Sequence, residues 1–299
     1  MTLRVFGGAH EMVSNVICGD CLEILPTLPP RSVDLVFGSP PYEDCRTYGI
    51  DFKLKGQAWV GWMVEVFRAS LRVSKGLVAF VVEGKTRKFR WSATPALLMA
   101  DLHRAGITLR KPPIYERDGI PGSGGPDWWK NRYEFIVCAT NGGRLPWSDN
   151  TACGHPPIYG PGGVPSHRMA DGSRVNGKVQ TRRKSDGSRP RDGIYKPPDK
   201  ANPGNIVDCG ACGGGHLGSK LAHENEAPFP ESLVEPFVKS FCPPGGIVLD
   251  PFGGSGTVAA VAEKHGRNWI SIDLRPSQAE LTTRRICEVH GIPPIPTTK

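Results

Sequence analysis

Two short segments of this 299-residue chain carry residue types that could do chemistry. The first is Ser39-Pro40-Pro41-Tyr42, directly after the apolar run VDLVFG. Pro40 and Pro41 fix φ and lack an N–H, so the corner is stiff and its carbonyls are expected to point outward unpaired. A serine hydroxyl and the Pro40 carbonyl are two acceptors that could fix an exocyclic amine and aim its lone pair. Tyr42 offers a flat surface on which an extruded base could stack. Stiffness matters there because an in-line transfer is sensitive to small misplacements. The alternative is a proline-rich loop that merely ends a strand beside a buried tyrosine.

The second segment is Asp250-Pro-Phe252-Gly253-Gly254-Ser-Gly256-Thr257, which continues from the run GGIVL. Its glycines permit a sharp turn and close approach of a ligand, and Thr257 opens a helix whose first N–H groups face outward. Nineteen residues after Gly254 stands Asp273, where an acid can grip ribose hydroxyls. No Gly-Lys-Ser/Thr follows, so the phosphate cradle of an ATPase is absent. Asp250 inside the turn would repel a pyrophosphate and receive a cationic, amino-acid-like head. S-adenosylmethionine has both a ribose and such a head.

The elements that must position these segments alternate. Asn15–Cys18, the run 33–38, the run 76–82, ITLRKPPIYER and YEFIVCAT read as strands. Gln57–Val73 reads as a helix with one apolar stripe (Trp59, Met63, Val66, Phe67, Leu71), and residues 95–104 as another. After a long irregular stretch, FPESLVEPFVKSF (helix), GGIVLD (strand), VAAVAEKHG (helix), NWISIDL (strand) and SQAELTTRRICEVHG (helix) follow. The pattern predicts an α/β fold with a doubly wound, mostly parallel sheet, interrupted by an irregular basic insert. The expected organisation is 1–140, 141–218 and 219–299. Between Arg168 and Lys200 there are ten Lys or Arg against four Asp. Together with a formal net charge of +8, this favours a polyanionic partner. No run approaches a membrane span and no export signal is read, so nine cysteines suggest reduced thiols in the cytoplasm.

The two motifs, SPPY after one apolar strand and DPFGGSGT after another, resemble those of the DNA amino-methyltransferases that make N4-methylcytosine or N6-methyladenine. The flanking text GDCLEILPTLPPRSVDLVFGSPPY and HENEAPFPESLVEPF carries the same resemblance, which covers about two thirds of the chain. The motif order is similar to that of the β class. The resemblance implies a circularly permuted Rossmann-like methyltransferase fold, S-adenosylmethionine as cofactor and direct transfer to a flipped base in double-stranded DNA. It assigns Ser39, Pro40, Pro41 and Tyr42 to catalysis. It assigns Asp250, Phe252, Gly253, Gly254, Gly256, Thr257 and Asp273 to the cofactor, with Asp20 near the adenine and His223, Phe229 and Pro230 closing over the methionine end. A covalent thiol nucleophile at Cys45 is not expected. Serine in the first position leans toward cytosine N4, with adenine N6 the alternative; a non-catalytic nucleic-acid-binding module and an RNA or small-molecule methyltransferase are the other readings.

The insert is expected to carry target recognition through Arg174, Arg182, Arg183, Lys184, Arg189 and Arg191. Cys209-x₂-Cys212 with His216, and Cys153 with His155, have partial zinc spacing, but the second half-site is irregular and no metal is expected. Relatives of the class often form homodimers. Nothing in the chain resembles a nuclease, so in a restriction system the endonuclease would be a separate protein.

Overall fold

The computed structural model describes residues 3–4, 14–43, 52–117, 124–158, 166–176, 197–210 and 217–292. Its strands are β1 (Leu3–Arg4), β2 (Asn15–Cys18), β3 (Val33–Gly38), β4 (Ser74–Val82), β5 (Thr86–Arg87), β6 (Arg90–Trp91), β7 (Thr108–Arg110), β8 (Ile114–Glu116), β9 (Tyr133–Thr140), β10 (Ser166–Arg168), β11 (Arg174–Asn176), β12 (Ile206–Asp208), β13 (Ile247–Asp250) and β14 (Asn268–Asp273). Its α-helices are α1 (Cys21–Ile24), α2 (Gln57–Val73), α3 (Thr94–Arg104), α4 (Glu231–Phe241), α5 (Thr257–Lys264) and α6 (Pro276–Val289).

The local reasons are those of pattern. In α2 every residue of the apolar stripe is buried, as three- and four-residue spacing requires of one helix face. The chain then turns extended at Ser74 and runs straight into β4, all of whose residues from Gly76 on are buried. Strand alternation sorts the core into two layers. Leu35, Phe37, Ala79 and Ile136 point to the side packed by α4 to α6, through Leu233, Phe237, Ala260 and Ile286. Val36, Val78, Phe80 and Val137 point to the side packed by α2 and α3, through Trp59, Met63, Phe67 and Leu98.

The main sheet runs β1-β2-β14-β13-β3-β4-β9-β8-β12, with β7 also on β9. From β2 to β4 every neighbour is parallel, while β9 lies antiparallel to β4. The expected doubly wound, mostly parallel sheet is therefore present. The C-terminal strands β13 and β14 insert between β2 and β3, so residues before 141 and after 218 build one sheet rather than two lobes.

Two readings are corrected. ITLRKPPIYER forms two strands, β7 and β8, broken at Lys111–Pro113, because neither proline has an N–H for the ladder. Within the stretch read as irregular, Ile206–Asp208 forms β12 and pairs parallel with β8. The chain divides into one compact unit of residues 1–149 with 204–299 and another of 150–203. In the latter, β10 and β11 form a hairpin and His155 bridges to Ala201. Among the described residues, no helix is long and apolar enough to cross a membrane.

Candidate active site at the carboxyl ends of the strands

Five parallel strands, β2, β14, β13, β3 and β4, end on one edge of the sheet. A cavity of about 630 Å³ opens there, lined from each of them by Asp20, Asp273, Phe252, Ser39 and Val81. This is the place where open α/β sheets hold ligands, and the volume is that of a cofactor-sized pocket.

The corner is built at the carboxyl end of β3. The last residue of that strand, Gly38, packs so closely on β13 that a Cβ there would overlap Asp250 Oδ1. Gly38→Ala is therefore expected to cost about 1–3 kcal/mol of stability, read as a fall in the denaturation midpoint. The Pro41 carbonyl is not unpaired as expected, since Trp59 Nε1 donates to it at 2.9 Å and pins the corner to α2. The Ser39 hydroxyl makes only two long contacts, to Tyr42 Oη and the Val81 carbonyl, each at 3.5 Å, so most of its hydrogen-bonding capacity stays available.

Tyr42 donates to Glu134 Oε2 at 2.6 Å, and Arg117 pairs with Glu134 Oε1 at 2.6 Å. Burial, then the Glu134 carboxylate, push the Tyr42 phenol well up, so it remains a donor. All three side chains line the cavity. Sequence reasoning missed Glu134 and Arg117. The available signal was a carboxylate in the otherwise apolar strand YEFIVCAT, where Glu134 is 4% exposed. Glu134→Ala should slow the reaction at least about tenfold by releasing Tyr42. Leaving Arg117 without this carboxylate should also cost about 3 kcal/mol, measurable by denaturant titration.

On the other side of the cavity, Gly254 takes φ +50° and donates its N–H to Asp273 Oδ2 at 2.8 Å. Asp273 Oδ1 accepts from the Arg275 N–H at 2.9 Å. The carboxylate is thus aimed by backbone, and burial raises its pKa. Phe252 packs on Trp62 and Phe80 and gives the cavity an aromatic wall. Asp20 caps α1 through the Leu22 N–H at 2.8 Å and also faces the cavity. Cys21 is a neighbour on that wall, but burial pushes its thiol up to about 12, so it is no nucleophile at neutral pH. A further latch is Arg275, which grips both oxygens of Glu226 at 3.0 and 3.1 Å and ties the 223–229 segment to the end of β14.

Thus Ser39, Pro40, Pro41, Tyr42, Asp20, Phe252, Gly254, Asp273, His223 and Phe229 meet on one cavity. Asp250, Gly253, Gly256, Thr257 and Pro230 do not line it. Asp250 is buried with Oδ1 taken by the Phe252 N–H at 2.9 Å, and burial raises its pKa to about 8. Desolvation thus favours the neutral acid, and a cationic head placed beside it would favour the carboxylate. Thr257 is held by the buried Arg285 at 2.8 Å, and Pro230 precedes the first turn of α4. Arg174 is exposed on β11. Arg182, Arg183, Lys184, Arg189, Arg191, Cys45, Cys212 and His216 lie outside the described residues.

A profile of the DNA methylase family that covers both N6 and N4 enzymes matches residues 33–284. The chain belongs to this family. The orphan methyltransferase M.BamHII of Bacillus amyloliquefaciens is 29% identical over 268 residues, spanning 85% of this chain and 89% of that one. The DNA adenine methyltransferase YhdJ of Escherichia coli is 26% identical over 281 residues, spanning 91% and 82%. The solved PvuII DNA methyltransferase (cytosine-N4-specific) superposes with a TM-score of 0.63 at 20% identity, over 91% of this chain and 85% of that one. The solved DNA modification methylase TTHA0409 of Thermus thermophilus superposes with a TM-score of 0.57 at 21% identity, over 92% of this chain and 95% of that one, and its ligand is S-adenosyl-L-methionine. The cavity suits it: a backbone-aimed carboxylate at Asp273 offers acceptors for ribose hydroxyls, and the Phe252–Trp62 wall offers an apolar face for a purine.

Proposed function

We propose that the methylase modifies the exocyclic N4 amine of a cytosine turned out of double-stranded DNA into this cavity, with motif order of the β class. The observation that carries this reading is that Ser39 and Tyr42 share a single cavity with Asp273 and Phe252. When bound, S-adenosylmethionine supplies an electrophilic methyl group on a sulfonium.

The chain's own residues do the rest. The Ser39 hydroxyl and the Pro40 carbonyl accept the two N–H bonds of the amine. They hold it so that the nitrogen lone pair faces along the line of transfer rather than into the ring. Tyr42, with its hydroxyl tethered to Glu134, presents its ring in one fixed orientation for the base to pack on. With that cofactor held there, the amine nitrogen would take the methyl directly as the methyl's bond to the sulfonium sulfur broke, and the proton then shed would pass to solvent, with no thiol of the chain as carrier. Asp273 and Asp20 position the nucleoside end of the cofactor, and the 223–229 segment closes over its other end.

A second reading is transfer to adenine N6, favoured by the likeness to YhdJ. Labelled S-adenosylmethionine and mixed-sequence duplex DNA, digested and separated by mass, distinguish the two. N4-methylcytosine is the expected product; N6-methyladenine would overturn the base assignment but keep the enzyme class.

Asp250 provides a pH test. Its folded pKa of about 8 exceeds the ordinary value of 3.8. Its contribution to stability is therefore complete below about 4 and is lost as pH rises through about 8. Asp250→Asn, which cannot ionise, should gain on the parent by up to about 1.4 kcal/mol per pH unit between those limits, as read from urea midpoints at pH 5, 6.5 and 8.

A further inference from the structure

The carboxyl end of β4 and the amino end of β9 meet at the rim of the cavity, with Val82 paired to Phe135. Two segments grow from that rim. The first is the β5–β6 hairpin, whose two-residue turn is Lys88-Phe89. Both turn residues have positive φ, 46° and 63°, a conformation that a bulky residue such as phenylalanine seldom takes. Phe89 is nonetheless held at the tip with 81% of its surface exposed. The second segment is the turn Gly125–Trp128, which presents Trp128 and Trp129 side by side, 76% and 84% exposed, with ring centroids 5.9 Å apart.

The two segments are tied to each other through Glu83, and the hairpin side is tied to the catalytic corner. Trp91 Nε1 donates to Glu83 Oε1 at 3.1 Å, and Glu83 is also hydrogen-bonded to Asn131 and lies in the field of Glu134. Thr94, just past the hairpin, donates to Glu43, the residue after Tyr42, at 3.1 Å. Phe89 itself reaches the second turn: a methyl placed on Gly125 would lie 4.0 Å from its ring.

The charge of this surface selects its partner. Residues 85–92 and 124–132 contain Lys85, Arg87, Lys88, Arg90, Lys130 and Arg132 against one acid, Asp127. A second copy of this chain, itself carrying a net charge of +8, would be repelled. A polyanion that also offers flat apolar rings, such as a nucleic acid, satisfies both halves of the surface.

We propose that this rim grips the duplex and that Phe89 is its wedge, entering the base stack beside the nucleotide drawn into the cavity. The inference rests on the reading of the chain as a DNA methyltransferase. The cations neutralise phosphates and set the register, whereas the strained, exposed ring fills the space that extrusion opens. The two roles have different signatures. Arg87→Gln/Lys88→Gln/Arg90→Gln removes three phosphate contacts. The slope of log affinity for a random-sequence duplex against log salt should then shrink by about 2.7, at about 0.9 per contact. Phe89→Gly keeps the turn, since glycine accepts positive φ, and removes only the ring.

The experiment measures duplex affinity across salt, methyl transfer to mixed-sequence genomic DNA, and cofactor binding by tryptophan fluorescence, for parent and both variants. Cofactor binding equal to the parent's certifies the fold. The expected result is a reduced salt slope in the triple variant, and in Phe89→Gly a fall in kcat of at least about tenfold with duplex affinity within about twofold. An unchanged slope overturns the grip; an unchanged kcat overturns the wedge. A parent that transfers no methyl group to any DNA is the separate failure of the methyltransferase reading, and the salt slope still decides the grip in that case.

Discussion

Replacing Ser39 with alanine is expected to slow methyl transfer by about a hundredfold or more while leaving the affinity for S-adenosylmethionine within about twofold of the parent. The serine hydroxyl is the side-chain acceptor of the corner, and its two long contacts at 3.5 Å leave it free to serve the substrate. Removing one pre-positioned hydrogen-bonding group from a transition state typically costs about 10²–10³ in rate. On the proposed reading such a loss belongs in kcat, because the hydroxyl is assigned to the amine and its two contacts lie outside the cofactor turn. The fold should survive, because neither of its present contacts is strong. Single-turnover kinetics with saturating cofactor, paired with a cofactor titration, make the check. Parallel loss of cofactor affinity would place Ser39 on the wrong substrate.

Asp273→Ala is expected to give the opposite signature. Cofactor affinity should fall by about a hundredfold, and the rate at saturating cofactor should change far less. One Asp273 oxygen receives the Gly254 N–H and the other the Arg275 N–H, so the carboxylate is already aimed and needs no ordering on binding. Two hydrogen bonds from ribose hydroxyls to a charged acceptor, at about 1.5–3 kcal/mol each, more than account for the factor. The variant also strips the acceptor from Gly254 at φ +50°, which loosens the turn itself. Asp273→Asn separates the two effects: one amide oxygen can still accept from the Gly254 N–H, so the turn should hold while ribose recognition weakens. Isothermal titration of both variants tests this. Equal affinity in Asp273→Ala and the parent would remove Asp273 from the cofactor site.

Much of this site was legible in one dimension because its parts are local. A strand followed by a glycine turn and a helix, then an acid at the end of the next strand, is a contiguous pattern set by backbone geometry; in the structure Gly254 and Asp273 meet through one hydrogen bond. The corner Ser39 to Tyr42 was equally visible, because two prolines after an apolar run leave few conformations. Glu134 and Arg117 were not. They stand 92 and 75 residues from Tyr42 in the chain; the antiparallel return of β9 against β4 brings Glu134 to its hydroxyl, and the pairing of β8 with β9 brings Arg117 to Glu134. The burial of Asp250 was not legible either, since burial is a property of packing. The exposed aromatic hairpin was not read at all, because six residues with no apolar period carry no pattern signal.

The amino-acid sequence by itself therefore determined the long helices and central strands, their alternation, the two motifs and the family they resemble, all of which follow from short-range sterics and side-chain periodicity. The tertiary structure alone decided that β13 and β14 enter between β2 and β3. Strand order is set by hydrogen bonds and core packing between residues more than two hundred positions apart. That insertion puts Gly38 against Asp250 and so closes the Ser39–Tyr42 corner onto the glycine turn.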